Sequence, residues 1–336
     1  MTTLKSSRIG VVGAGLAGLV VAEGLARAGA RVRVFEKSRG VAGRLSTRRV
    51  REAGPAEGLE FDHGAPALHG NSGAFEAFLS RLADAGSVAP WRADIDAERA
   101  PSEAMVGTPR MNAALAPLTA GLDIQLRTTV KAVTSGEDGC RVRYEDADGE
   151  AFEETFDRIV IAAPAPQTAV IAAAVPEIAE AANASRYHPC WTVMAAVTGA
   201  GLPKGAGAGG AIAALICNNA KPGRDAALDG RALTTWVAHA TPEWTEAHLE
   251  ESREDVLAQL TPELLERLGA AESDVAYVTA HRWRYARVAT PLGRTFAANT
   301  DETVFAVGDW CLGADAGCAY DSALALLAVF GRTSVA

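Results

Sequence analysis

Glycines at positions 13, 15 and 18, a carboxylate at Glu36, and a scatter of histidines and tryptophans can do chemistry by type and spacing. Gly13-x-Gly15-x-x-Gly18 follows an apolar run directly and opens a stretch of helical period. There the first glycine permits a tight turn, the second lets the backbone approach a pyrophosphate, and the third lets helix and strand pack closely. A helix starting at that point offers free N–H groups and the positive end of its dipole to phosphate oxygens. Glu36 stands 18 residues beyond Gly18, where a carboxylate can bind an adenosine ribose. The implied chemistry is the holding of an adenine dinucleotide. This motif by itself does not separate a flavin from a nicotinamide dinucleotide.

His63 lies in a glycine-flanked turn after a strand, a place that can face a flat ring or simply hold the turn. His281, Trp283 and Tyr285 alternate, so one face of a strand carries all three. Arg282 and Arg284 take the opposite face, where acids of their own domain can pair with them. Trp191, Trp236 and Trp283 can wall a slot for a planar substrate ring; burial in the core is the competing fate of a tryptophan. Arg110 can meet a substrate phosphate or stay exposed, and Cys311 reads as packing.

The elements that must position these residues follow from hydrophobic period. Residues 8–12 read as a buried parallel strand, 16–28 as a helix closed by Gly29, and 31–35 as a second strand. That is a right-handed βαβ crossover. Residues 59–61 read as a strand, 73–85 and 111–120 as helices, and 124–126, 131–133 and 140–144 as a β-meander that turns at 146–149. Residues 158–162 form a strongly apolar strand closed by Pro164. Residues 191–197, 211–217, 232–238 and 275–283 read as sheet strands, with a helical run from 241 to 268 between the last two. Residues 303–307 return as a buried strand, and 317–330 as a helix. The expected architecture is α/β: a Rossmann-type dinucleotide domain with an interleaved α+β substrate domain on a mostly antiparallel sheet. The expected bounds are 1–67, 103–172 and 287–336 for the first domain, 68–102 and 173–286 for the second.

Composition excludes other classes. The chain has 336 residues, is 49% hydrophobic and 22% charged, and so is neither disordered nor in need of covalent staples. A formal charge of −9 argues against a nucleic-acid or anionic-membrane partner. Five cysteines at wide spacing, without a Cys-x-x-Cys, argue against zinc or a disulfide framework and suit a reducing cytoplasm. The apolar stretch 9–30 carries Glu23 and Arg27 and is interrupted by glycines, Gly13, Gly15, Gly18 and Gly24 among them, too polar for a membrane span.

Residues 39–48 (Arg-Gly-Val-Ala-Gly-Arg-Leu-Ser-Thr-Arg) resemble the arginine–glycine loop that follows the fingerprint in flavoproteins of the amine-oxidase fold, with Ala42 in place of one glycine. Residues 303–309 resemble the closing FAD motif of that fold. Six separated segments, 61–65, 106–111, 189–191, 236–244, 280–286 and 308–313, recur in this order in bacterial renalase-like proteins, a resemblance that spans nearly the whole chain. It implies non-covalent FAD held by Gly13, Ala14, Gly15, Gly18, Glu36, Lys37, Gly43, Arg44, Val130, Gly308, Asp309 and Gly317. Arg44 would meet the phosphate–ribityl region, and Asp309 would accept a ribityl hydroxyl. The resemblance also implies a glutathione-reductase-like or amine-oxidase-like dinucleotide domain. The activity implied is oxidation of dihydronicotinamide isomers of NAD(P)H whose extra hydride sits at C2 or C6, with O2 as acceptor and hydrogen peroxide as product. Its pocket would be built from His63, Trp191, Trp236, His281, Trp283 and Tyr285.

The chain departs from the family at 66–70 and at 314–323, segments expected close to the flavin, which bears on substrate and rate. Amine-oxidising relatives often place a lysine near flavin N5. Here Lys204 and Lys221, the lysines of the middle domain, both fall in Gly/Pro loops, and neither reads as a candidate. A flavin amine oxidase or desaturase acting on another small molecule, and a flavin-binding protein without turnover, remain as other readings.

Overall fold

The computed structural model describes residues 4–52, 54, 56–91, 104–198, 210–224, 227–228 and 231–333. Lys204 and most of its glycine-rich loop lie outside them.

Strand β1 (Arg8–Val12) is buried at four of its five positions and leads through the glycine turn into helix α1 (Leu16–Arg27). Strand β2 (Arg31–Glu36) returns parallel to it, with Val11 beside Val34. The chain then runs through helix α2 (Gly73–Asp84) to β3 (Asp123–Leu126), which joins the far side of β2. An antiparallel meander follows: β4 (Thr129–Gly136), β5 (Gly139–Glu145) and β6 (Ala151–Phe156). Strand β7 (Arg158–Ile161) slots in parallel on the other side of β1. Burial on both faces explains the unbroken apolar runs of these strands. Val133, Cys140, Val142 and Phe156 of the meander pack with Phe35 and Ile161, so the meander covers one face of the sheet. Helix α1 packs in the other core cluster, with Val11 and Val34.

The substrate domain is built on β8 (Arg186–Thr198), β9 (Ile212–Cys217) and β10 (Arg231–Ala240). Helix α3 (Arg253–Leu268) and strand β11 (Val275–Thr290) complete it. The strands pair antiparallel in the order β9-β10-β8-β11. Period-two alternation divides the sheet's two faces. Trp191, Val193, Ala195, Trp236, Ala238 and Ala280 pack against Val256, Leu260 and Leu264 of α3. Met194, Ala196, Ile216 and Val237 face the other way, into the cluster that holds Phe61 and Met111 of the dinucleotide domain. The chain closes with β12 (Val304–Ala306), parallel to β7, and helix α4 (Ala316–Thr333).

Several expectations shift. The run 241–268 is two helices, Pro242–Ala247 and α3, because Ser252 caps a new start by accepting from the Asp255 N–H. Residues Met111–Leu118 form a 3₁₀ helix around Pro117. Helix Pro176–Asn183 packs Ile178, Ala181 and Ala182 into the dinucleotide-domain core, although residue 173 was the expected start of the substrate domain. Strand β11 carries the substrate sheet to Thr290, paired with Arg186, beyond the expected bound at 287. Among the described residues no helix is long and apolar enough to cross a membrane.

Candidate functional site

The glycine turn is a cradle of backbone. A Cβ on Gly18 would sit 1.9 Å from the Gly13 carbonyl oxygen, so only glycine lets α1 pack this close. A Cβ on Gly15 would meet nothing within 4 Å and would project into open space. Helix α1 starts at Gly15 with no side-chain cap and no acid in its first turn, which leaves its first N–H groups free for an anion. Glu36 is buried and held by two backbone donors, the N–H groups of Ala14 and Ser38, each at 2.8 Å. The Thr128 N–H donates to the Glu36 carbonyl at 2.9 Å, which sets Val130 close by. Lys37 is exposed. The arginine–glycine loop is strapped down over the cradle: the Ala42 N–H donates to the Ala14 carbonyl at 2.8 Å, and Gly43 rides above Gly15.

Arg44 leaves this strap and meets Asp309 with two parallel bonds, of 2.6 and 2.7 Å. It also donates to the Ala286 carbonyl at 3.2 Å and lies over the Tyr187 ring. Burial tends to lower its pKa, and the facing Asp309 charge more than offsets that. Gly308 precedes Asp309 at the end of β12, and its N–H donates to Ser322.

Beyond Arg44 lies a pocket of rings. Trp283 Nε1 donates to the His63 carbonyl at 3.0 Å, and the two rings stack with centroids 5.1 Å apart. His281 meets Trp283 edge-on at 4.4 Å and His63 at 4.9 Å. Thr192 of β8 is opposite both His281 and His239 in the sheet, so His239 shares this face. Sequence reasoning missed His239. It differs in parity from Trp236, and that parity was the signal available. His239 sits beside the carbonyls of His63 and Gly64 and is half-buried.

All three imidazoles are pushed down to about 4. Burial is the first cause in each. The second is the neighbouring His281 for His63, Lys221 for His239 and Arg48 for His281. They are neutral at physiological pH. His63 Nδ1 is buried without a hydrogen-bond partner among the described residues.

Asp62, next to His63, anchors a second cluster that the sequence did not reveal. Its carboxylate accepts from Lys221 Nζ at 3.3 Å, from Arg224, from Thr47 Oγ1 at 2.7 Å and from the Met111 N–H at 3.0 Å. Lys221 is fully buried; burial brings its ammonium down to about 8, against the opposing pull of Asp62. Its loop placement in the sequence hid this.

Other expected site residues fall elsewhere. Trp191 and Trp236 are on the α3 face of the sheet; Trp191 donates to the His248 carbonyl, and Trp236 to Thr234. They are core, and strand parity keeps them out of a slot with Trp283. Tyr285 lies where β11 bulges between Trp283 and Arg287, and its ring meets Tyr187 at 5.8 Å. The Gly317 N–H is taken by the His69 carbonyl at 2.9 Å, so it is not free to face a flavin. Arg282 and Arg284 both pair with Glu250, and Arg110 pairs with Glu60. Cys311 is wholly buried, and its thiol is pushed up to about 12 by burial.

The residues fit FAD on three observations: the open cradle at Gly15, the uncapped start of α1, and the orphaned His63 Nδ1 among the rings of His281 and Trp283. Among the described residues no group of His, Cys, Asp and Glu could hold a metal ion.

Residues 89–324 match the model of flavin containing amine oxidoreductases, and residues 11–82 match that of NAD(P)-binding Rossmann-like domains. Among solved structures the chain is similar to cyclohexylamine oxidase from Brevibacterium oxydans IH-35A. The two share 12% identity at a TM-score of 0.67, over 98% of this chain and 99% of that one. A likeness at that identity carries the fold.

Proposed function

The chain belongs to the flavin-containing amine oxidoreductase family, and from that premise we propose that it is a renalase-like oxidase of dihydronicotinamides. It is an FAD-dependent oxidoreductase acting on a small molecule; the donor is what we propose. Bound FAD would accept the hydride from C2 or C6 of an NAD(P)H isomer and would pass it, with one proton, to O2, giving H2O2 and NAD(P)⁺.

The observation that carries this reading is the uncharged ring pocket. A dihydronicotinamide is electron-rich and becomes an aromatic cation when it loses hydride, so it needs orientation and no base. Trp283, His63 and His281 offer flat neutral surfaces for that orientation. The carboxylate next in sequence, Asp62, is engaged by Lys221 and Arg224 and is not available to take a proton. The loop Ala42–Arg44 and Asp309 would hold the ribityl and phosphate end of the flavin away from this pocket.

The test is anaerobic: the visible flavin band bleaches when either dihydronicotinamide isomer is added, and hydrogen peroxide appears on admitting air. A band unchanged by both isomers would remove the reading.

A second reading, amine oxidation, is favoured by Lys221. Family resemblance associates a lysine near N5 with amine oxidation, and this one is buried beside the pocket with its ammonium brought down to about 8. It predicts bleaching by a primary or secondary amine instead.

A further inference from the structure

We infer that Arg44 is a positioning residue of the flavin site: its guanidinium aims the carboxylate of Asp309 at the ribityl chain, and the diphosphate is left to the backbone of the glycine cradle. The inference rests on FAD binding alone and is independent of the donor.

Several segments meet at residue 44. On one side of it, a Cβ on Gly43 would lie 3.5 Å from the Gly15 Cα, in contact with the cradle. On the other, the Ala65 N–H donates to the Arg44 carbonyl at 2.9 Å, and a Cβ on Gly64 would lie 1.9 Å from that same oxygen. The backbone is thus clamped between the cradle and the turn that carries His63. The side chain leaves toward the corner after β12. There Nη1 donates to Asp309 Oδ2 at 2.6 Å and to the Ala286 carbonyl at 3.2 Å, and Nη2 donates to Asp309 Oδ1 at 2.7 Å. The guanidinium carbon lies 5.9 Å from the centroid of the Tyr187 ring, whose hydroxyl accepts from the Ala165 N–H at 3.4 Å. Ala286 belongs to β11 and Tyr187 to β8, so two strands of the substrate sheet bear on the guanidinium.

Asp309 is 4% exposed. Its two oxygens offer about four acceptor positions. The arginine fork takes one on each oxygen and fixes the plane of the carboxylate, which leaves the others, in a set direction, for hydroxyl groups. The backbone of the corner is pinned as well, since the Gly308 N–H donates to Ser322 Oγ at 3.1 Å. Turning the guanidinium to a phosphate would strand a buried carboxylate, which is strongly unfavourable. A pair that is already neutral adds little net charge for a diphosphate, whereas the uncapped start of α1 offers free N–H groups to one. Of the phosphate–ribityl region that the resemblance implies for Arg44, the pairing selects the ribityl half.

The experiment uses the full chain, freed of flavin and reloaded, with Arg44→Gln, Asp309→Asn and the double variant. FAD binding is read by quenching of flavin fluorescence. ADP, which carries the adenosine and the diphosphate but no ribityl chain, is read by competition with FAD. Each single variant should raise the FAD Kd about tenfold, the size of one charge-assisted hydrogen bond. The double variant should stay within threefold of the costlier single, because residues that act as one unit are not additive. Its ADP Kd should stay within twofold of the parent. A tenfold loss of ADP affinity in the double variant overturns the proposal, because either a phosphate-holding arginine or a general loosening of the site weakens both ligands. Single losses that multiply to about a hundredfold in the double variant overturn it too. The double variant leaves no buried charge unpaired, so its ADP titration decides the matter even where Arg44→Gln alone folds poorly. If no dihydronicotinamide reduces the flavin, the donor reading fails and this comparison of FAD with ADP is unaffected.

Discussion

Lys221 Nζ stands 3.3 Å from Asp62 Oδ2, and this contact joins the two domains. Asp62 follows the strand Glu60–Phe61 of the dinucleotide domain, and Lys221 follows β9 of the substrate sheet. Arg224 from the same turn also reaches Asp62, and Asn218 accepts the Asp62 N–H at 3.1 Å. The cluster therefore fixes the turn whose next residues, His63 and Gly64, present their carbonyls to Trp283 and His239.

With one carboxylate and two cations, the cluster has unequal partners. Asp62→Asn leaves two buried cations uncompensated and should cost about 3–5 kcal/mol. Lys221→Met leaves Asp62 paired with Arg224, and its cost should be under half of that. Because the Lys221 charge helps hold His239 neutral, Lys221→Met should also raise the His239 pKa. Denaturant unfolding checks the order of stabilities, and an NMR titration of the histidine ring protons checks the shift. Equal destabilisation by the two variants would contradict this account of the cluster.

The two faces of the substrate sheet predict opposite phenotypes for similar tryptophans. Trp236→Ala empties a fully buried site against α3 and should cost about 3–5 kcal/mol. The flavin that stays bound should be reduced at the parental rate. Trp283→Ala removes a wall of the ring pocket. It should keep FAD and slow anaerobic reduction by at least about tenfold, one lost stacking and orienting contact. Stopped-flow reduction per mole of bound flavin separates them, and an exchange of the two outcomes would reverse the assignment of faces.

The FAD cradle also makes a graded prediction. Gly15→Val places a branched side chain in the open space before α1 and should abolish FAD retention while the chain still folds, since no atom lies within 4 Å of a Cβ there. Glu36→Ala removes the acceptor of two backbone N–H groups. It should weaken FAD binding by about 10–100-fold, the cost of leaving buried donors unpaired. Flavin content after dialysis reads both. Full flavin in Gly15→Val would misplace the pyrophosphate.

Much of this was legible in the chain. The switch from apolar run to helical period around Gly13–Gly18, then back to an apolar run ending at Glu36, gave the βαβ unit within a residue or so, because burial on both faces leaves a continuous apolar signature. What failed had physical reasons. Trp191 and Trp236 were read by residue type, although the alternation that assigns His281 and Trp283 to one face assigns both tryptophans to the other. Lys221 gave no local sign, because its burial is created by Asp62, 159 residues away in sequence. The helix Pro176–Asn183 is short and starts on proline, and its loyalty to the dinucleotide core comes from tertiary packing of Ile178 and Ala182.

The three neutral imidazoles make stability depend on pH in a defined window. Each has a folded pKa of about 4, against 6.5 in the ordinary state. Between those values the unfolded chain binds more protons than the folded one, so stability must fall as pH drops from about 6.5 toward 4. The limiting slope is about 1.4 kcal/mol per pH unit for each imidazole, reduced for His239 and His281 by their partial exposure. Carboxylates add to the loss below about pH 5, so the comparison belongs between 5 and 6.5. There His281→Gln, which cannot protonate, should show a shallower loss of stability than the parent, by up to one proton's slope. Urea unfolding at half-unit pH steps measures it. Identical slopes for parent and variant would mean that His281 takes up its proton as readily folded as unfolded, and the pocket would not be holding this imidazole neutral below its ordinary pKa.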